Sequence, residues 1–182
     1  TQFGLGMAIN DGDSEPGQDG QKGWGGLGAH SIVFGKSPSE TALVTLATAN
    51  DIEPGKEHYS ASPVQDGRIE LDGDLGDWQG VGVLSDPRFA VPKGDGARGE
   101  DAGELVLFEE HSGGSWNGPD DHTSAVQIAY DTENVFFAFV VTDDYHENSR
   151  NSPWNGDSVQ LMIADEKQEA QIALYNYALG GV

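Results

Sequence analysis

The chain has 182 residues and no cysteine, so disulfides cannot stabilise it and thiol redox chemistry is closed to it. Basic residues are scarce: 9 Lys and Arg stand against 31 Asp and Glu, a formal charge of −22. Nucleic acids and anionic membranes are bound through clustered Lys and Arg, so neither is an expected partner. No apolar run approaches about 18 residues, and no signal peptide or lipidation motif is visible. Catalytic signatures are missing too. There is no G-x-S-x-G elbow, no P-loop and no G-x-G-x-x-G after a strand, since Gly4-Leu5-Gly6 falls inside a strand pattern. With so many acids, paired carboxylates carry no glycosidase signal, and the chain is not expected to be an enzyme. The histidines at 30, 58, 111, 122 and 146 include no H-E-x-x-H and no i, i+4 pair, which leaves zinc little support. Asp120–His122 and Asp143–Glu147 could join a site, but loops of this composition are usually just solvated.

What remains is a strand-and-turn pattern without any amphipathic helical stretch of ordinary length, so the expected class is all-β. Gly (26) and Pro (8) are dispersed between apolar runs. Phe3, Leu5, Met7 and Ile9 alternate with Gly or Ala, which puts the large side chains in a core and lets something pack closely on the other face. Val159, Leu161 and Ile163 share one strand face while Gln160 and Met162 take the other. Val135–Val141 is apolar on both faces and reads as a central strand. Glu104–Phe108 and Ser124–Tyr130 read as strands, and Ala170–Leu179 as a last strand with Tyr175 and Tyr177 on one face. Ile69 and Leu71 alternate with acids as a short edge-like strand. Residues 49–66 read as a linker or surface-hugging connection.

Three motifs in order then carry a resemblance. Leu71-Asp72-Gly73-Asp74-Leu75-Gly76-Asp77-Trp78 is similar to an "iDG-x-l-x-x-W" opening, and Tyr130-Asp131-Thr132-Glu133-Asn134-Val135-Phe136-Phe137 to a "yD-x-x-x-LYv" strand. Trp154-Asn155-Gly156-Asp157-Ser158-Val159 resembles a loop ending in "W-x-x-Ds-v". The set resembles the family 9 carbohydrate-binding modules, which implies an antiparallel, jelly-roll-like β-sandwich that holds sugar without catalysis. Phe3–Asp13, Trp24, Gly35-Lys36-Ser37-Pro38 and Ala42–Leu46 resemble the strands that close such a domain. Residues 1–48 therefore look like a domain's end, 49–66 a linker, and 67–182 a domain's opening portion. Three arrangements follow: a slice through tandem domains, a permuted sandwich, or an incomplete one completed by a neighbouring subunit. The start at Thr1 suggests a processed or excised piece, and an extracellular or cell-surface location, in a bacterium, is expected.

The resemblance implies a sugar-stacking indole at Trp154, with Asn151, Asn155 and Gln160 as hydroxyl partners. It also shows departures. The family's second indole falls where this chain has His30–Val33, its binding carboxylate is Gln160, and its binding Arg is Ala173. Asp11 and Asp13 in one acidic turn, and Asp72, Asp74 and Asp77 in another, are candidate Ca²⁺ ligands. Neither loop alone supplies the roughly six to eight oxygens that ion takes. The functional expectation is a noncatalytic, calcium-stabilised glycan-binding module; the alternative is a self-associating unit of a surface assembly or fibre.

Overall fold

The structure, a computed structural model, describes residues 1–12, 20–48, 59–84, 92–93, 105–147 and 154–178. The eleven strands are β1 (Gln2–Asp11), β2 (Gly23–Leu27), β3 (Ala42–Leu46), β4 (Tyr59–Pro63), β5 (Val83–Leu84), β6 (Pro92–Lys93), β7 (Leu105–Glu110), β8 (His122–Tyr130), β9 (Val135–Asp143), β10 (Ser158–Ala164) and β11 (Gln171–Ala178). One short helix, α1, spans His30–Val33.

β1 is the hub. Along one edge it pairs antiparallel with β10, from Gly4↔Ala164 to Asn10↔Ser158. Along the other it pairs with β3 at its start and β2 at its end. β2 continues to β7 and β6, and β10 continues to β11. β4 runs parallel to β3 through Ala61, then parallel to β8 from Ser62, so it turns the sheet over onto itself. The result is mostly β, as expected, but it is a single mixed and strongly curled sheet. A clean antiparallel sandwich is not what forms, because three pairings (β3·β4, β4·β8 and β6·β7) are parallel.

The curl encloses one core. Leu5, Met7 and Ile9 of β1 meet Val159 and Leu161 of β10, Leu27, Val44 and Leu105, with Val126 and Ile128 of β8 closing from across. Each such side chain taken out of water contributes about 1.5–3 kcal/mol. Core residues thus come from both ends of the chain, and residues 2–46 share one sheet with 158–178. The small residues on the outer face of β1 allow the close approach read from sequence. A Cβ on Gly6 would lie 1.9 Å from Ser31 Oγ, and one on Gly4 2.4 Å from Thr41 Oγ1.

Two expectations are corrected. Among the described residues β9 pairs with β8 alone, so it is an edge strand rather than a central one. Its two apolar faces have separate covers. Phe137, Phe139 and Val141 lie on the main core, while Phe136 and Ala138 lie under a cap formed by Val64, Ile69, Leu75, Trp78 and Val81. That cap contains the second correction: Ile69 is buried, but Leu71 is 86% exposed and no strand forms there. Tyr59–Pro63, inside the stretch read as a connection, forms β4. Tyr130 Oη donates to Ala47 O at 2.8 Å and ties the start of that connection to β8.

Candidate functional site

The alternation of β1 and β10 sends hydrophobic residues inward and leaves Asn10, Ser158 and Gln160 on the outer face. At the end of these strands the outer face becomes a run of amides. Asn10 Nδ2 donates to Ser158 Oγ at 2.7 Å, and Gln21 Nε2 donates to Asn10 Oδ1. Gln21 N donates to Asn155 Oδ1 at 3.1 Å. Beside them stands Trp154, 50% exposed, whose carbonyl lies 3.5 Å from Asn10 Nδ2. An exposed indole next to neutral groups that both donate and accept is an arrangement suited to an uncharged polyhydroxylated ligand.

Of the residues expected from sequence, Trp154 and Asn155 meet here. Gln160 is on the same outer face but buried at 4% exposure. Asn151 and Asp13 lie outside the described residues. Asn10 and Gln21, which knit the amides together, were missed, because they come from a strand remote in sequence and the turn after it. Ala173, which the resemblance matches to a binding Arg, lies on the other face of the sheet from Gln160. It pairs with Ile163, whose side chain packs on the core, and the residue across from Gln160 is Asn176, which is exposed. The register shift at Ile163/Ala164 inserts one residue into the ladder.

The stretch where the family resemblance puts a second indole is α1. It is folded down on the sheet, with His30 Nε2 2.7 Å from the buried Glu109 Oε2. Trp24 is buried beneath it in an aromatic cluster with Phe34 and His111. Tyr175 and Tyr177, stacked with centroids 6.2 Å apart, pair with Leu161 and Val159 and so belong to the opposite face from the amides.

The expected calcium ligands divide. Asp72 Oδ1 accepts from Asp74 N, Asp74 Oδ1 from Gly76 N, and Asp77 Oδ2 from Glu70 N, at 2.7–2.9 Å. Each of these carboxylates holds its turn through one oxygen. Asp11 is buried at the inner end of β1. A different group converges nearby. Ligand atoms of Asp143 (end of β9), His146 (the following loop) and Asp157 (before β10) all lie within 4.8 Å of one another. His146 Nδ1 is 2.8 Å from Asp157 Oδ2, and that oxygen also accepts from Glu147 N at 2.6 Å. Asp157 Oδ1 accepts from Gly12 N at 2.8 Å. Burial, opposed by the Tyr145 N–H and reinforced by the Asp157 charge, pushes Asp143 up to about 6. Burial also raises Asp157, against the N–H bonds from Gly12 and Glu147. The group could hold a cation between two carboxylates that otherwise repel.

No curated protein and no solved structure matches the chain. A family comparison does give a match, somewhat under half of the chain in extent, and it leaves out both the Leu71–Trp78 motif and the strands at 1–48. Residues 97–178, which take in β7 to β11 and the loop of Trp154, match the family described as carbohydrate family 9 binding domain-like.

Proposed function

We propose that the protein is a noncatalytic, extracellular carbohydrate-binding domain in which one sugar ring stacks on Trp154 and its hydroxyls engage the neighbouring amides. The carrying observation is the half-exposed Trp154 indole beside the partly exposed amides of Gln21 and Asn155, which the buried Asn10 helps hold in place, within reach of the family-matched segment. The indole face suits the C–H face of a pyranose, and amides suit hydroxyls in either donor role. A neutral ligand is not repelled by the −22 charge. With α1 where a second indole would stand, the sugar has one platform, so affinity falls on the order of 0.1–1 mM for a single ring. The test is retention on immobilised polysaccharides and glycan arrays by wild type and Trp154→Ala. Retention by the wild type alone supports the proposal; equal retention of both, or of neither, overturns it.

A second reading rests on the sheet edges. Among the described residues β9 pairs only with β8, and β11 only with β10. β11 also carries exposed Ile172, Tyr175 and Tyr177. Such an edge can add a strand from another copy, as in a surface assembly or fibre. Concentration-dependent mass by light scattering, abolished by Ile172→Lys, would favour this reading over a monomeric glycan binder.

A further inference from the structure

We infer that Asp143, His146 and Asp157 bind one divalent cation of the zinc class, closing the base of the loop that presents Trp154. Three ligand atoms from two separate pieces of backbone, the end of β9 with its following loop and the start of β10, already lie within 4.8 Å of one another. Tetrahedral ligands about 2.0–2.2 Å from a zinc ion stand about 3.3–3.6 Å apart, so seating an ion opens the 2.8 Å contact between His146 and Asp157 and draws any wider pair inward, by side-chain shifts of up to about an ångström. The ligand set is two carboxylates and one imidazole. That mix suits zinc and its neighbours, whereas Ca²⁺ takes oxygen ligands and more of them. The three groups leave a fourth position for water or a ligand oxygen.

Asp157 is already oriented for this. It is 1% exposed and fixed by N–H groups of Gly12 and Glu147. Gly12 is what lets β1 come this close, since a Cβ there would sit 2.8 Å from Glu147 Cβ and 3.2 Å from Asp157 Oδ1. Among the described residues no Lys or Arg forms an ion pair with Asp143 or Asp157, and the His146 imidazole is the side chain against Asp157. The independent observation is His122. It is fully buried, neither ring nitrogen has a partner, and it stands directly across the β8–β9 ladder from Asp143 on the same face. Buried imidazole nitrogens are rarely left without partners. His122 lies outside the group of three atoms within 4.8 Å of one another, so its role would be to bond a water on the ion rather than the ion itself.

The ion ties Asp143 and His146, which end β9, to Asp157, which starts β10, so the Trp154 loop is clamped at both ends. The glycan reading is not needed for the ion itself, and the test uses no sugar. Chelator-treated full chain is titrated calorimetrically and by thermal shift with Zn²⁺, and separately with Ca²⁺. Expected are one Zn²⁺ per chain, a rise in melting temperature, and Zn²⁺ bound at least tenfold more tightly than Ca²⁺. His146→Ala changes a side chain that is 41% exposed and should fold normally; it is expected to lose at least tenfold in Zn²⁺ affinity. Asp157→Asn should lose binding, and Asp72→Asn should not. Absence of saturable Zn²⁺ binding, tighter Ca²⁺ binding, or an unchanged affinity in His146→Ala would overturn the inference.

Discussion

The Asp72–Asp77 loop and the Asp143–His146–Asp157 group contain the same kind of side chain put to different uses. In the first, carboxylates two or three residues apart reach their own loop's N–H groups and hold the turn, each through one oxygen. In the second, a stretch that read from sequence as a solvated loop meets the start of β10, and the two strand ends bring two carboxylates together with an imidazole. Density of acids along the chain therefore marks turns, while convergence of acids across strands marks a place where charge has to be balanced.

The contrast can be broken most sharply by alanine. Asp157→Ala leaves the Gly12 and Glu147 N–H groups without their acceptor in a buried setting, an expected loss of about 2–4 kcal/mol in urea-unfolding stability. Asp74→Ala, on an exposed turn, should cost under about 1 kcal/mol in the same assay. Similar losses at the two positions would remove the distinction.

Acid provides the next largest effect, read on chelator-treated protein. Burial lowers His122 to about 4 from an unfolded value near 6.5. The unfolded chain therefore takes up this proton first. Stability from the neutral ring is complete above about 6.5 and is lost as pH falls to about 4, a swing of about 2–3 kcal/mol. Asp143, raised to about 6, has the opposite slope, because there the folded chain takes up the proton first. Wild type alone thus shows a blunted response. His122→Phe should gain on wild type by about 2–3 kcal/mol between pH 7 and pH 4, and a constant difference would contradict the neutral buried ring.

Smaller effects sharpen the link between loop and ligand. Trp154→Ala should weaken glycan retention about tenfold, roughly 1.4 kcal/mol, without changing the unfolding midpoint. Chelation should weaken it severalfold in wild type and leave His146→Ala unaffected, since that variant has no clamp to lose. Asn176→Ala, across from Gln160, should change retention by less than about threefold.

Strands with one wet and one dry face were legible because their side chains alternate. Leu5, Met7 and Ile9, and Val159, Leu161 and Ile163, fall where period 2 puts them. β9 misled because two dry faces suggest sheet neighbours on both sides, whereas one of its covers is an irregular cap with no period to read. The parallel pairings that curl the sheet depend on β4, five residues whose composition announces no strand. At the site, the indole and its following Asn were legible from a local motif. The amide partners Asn10 and Gln21 were not, because only the pairing of β1 with β10 brings them to the indole. His146 escaped the zinc search for a related reason. Motif spacings find ligands that share one helix or hairpin, not ligands delivered by two strand ends.

The double role of β1 has a consequence for how the chain acquires its shape. Its two neighbours β2 and β3 emerge soon after it during synthesis, but β10 is made only after most of the described chain. Until then Leu5, Met7 and Ile9 lack the hydrophobic surface of Val159 and Leu161 that finally encloses them. Folding should accordingly be slow, governed by a late long-range closure, and the nascent polypeptide should depend on chaperones or dilution to avoid clumping.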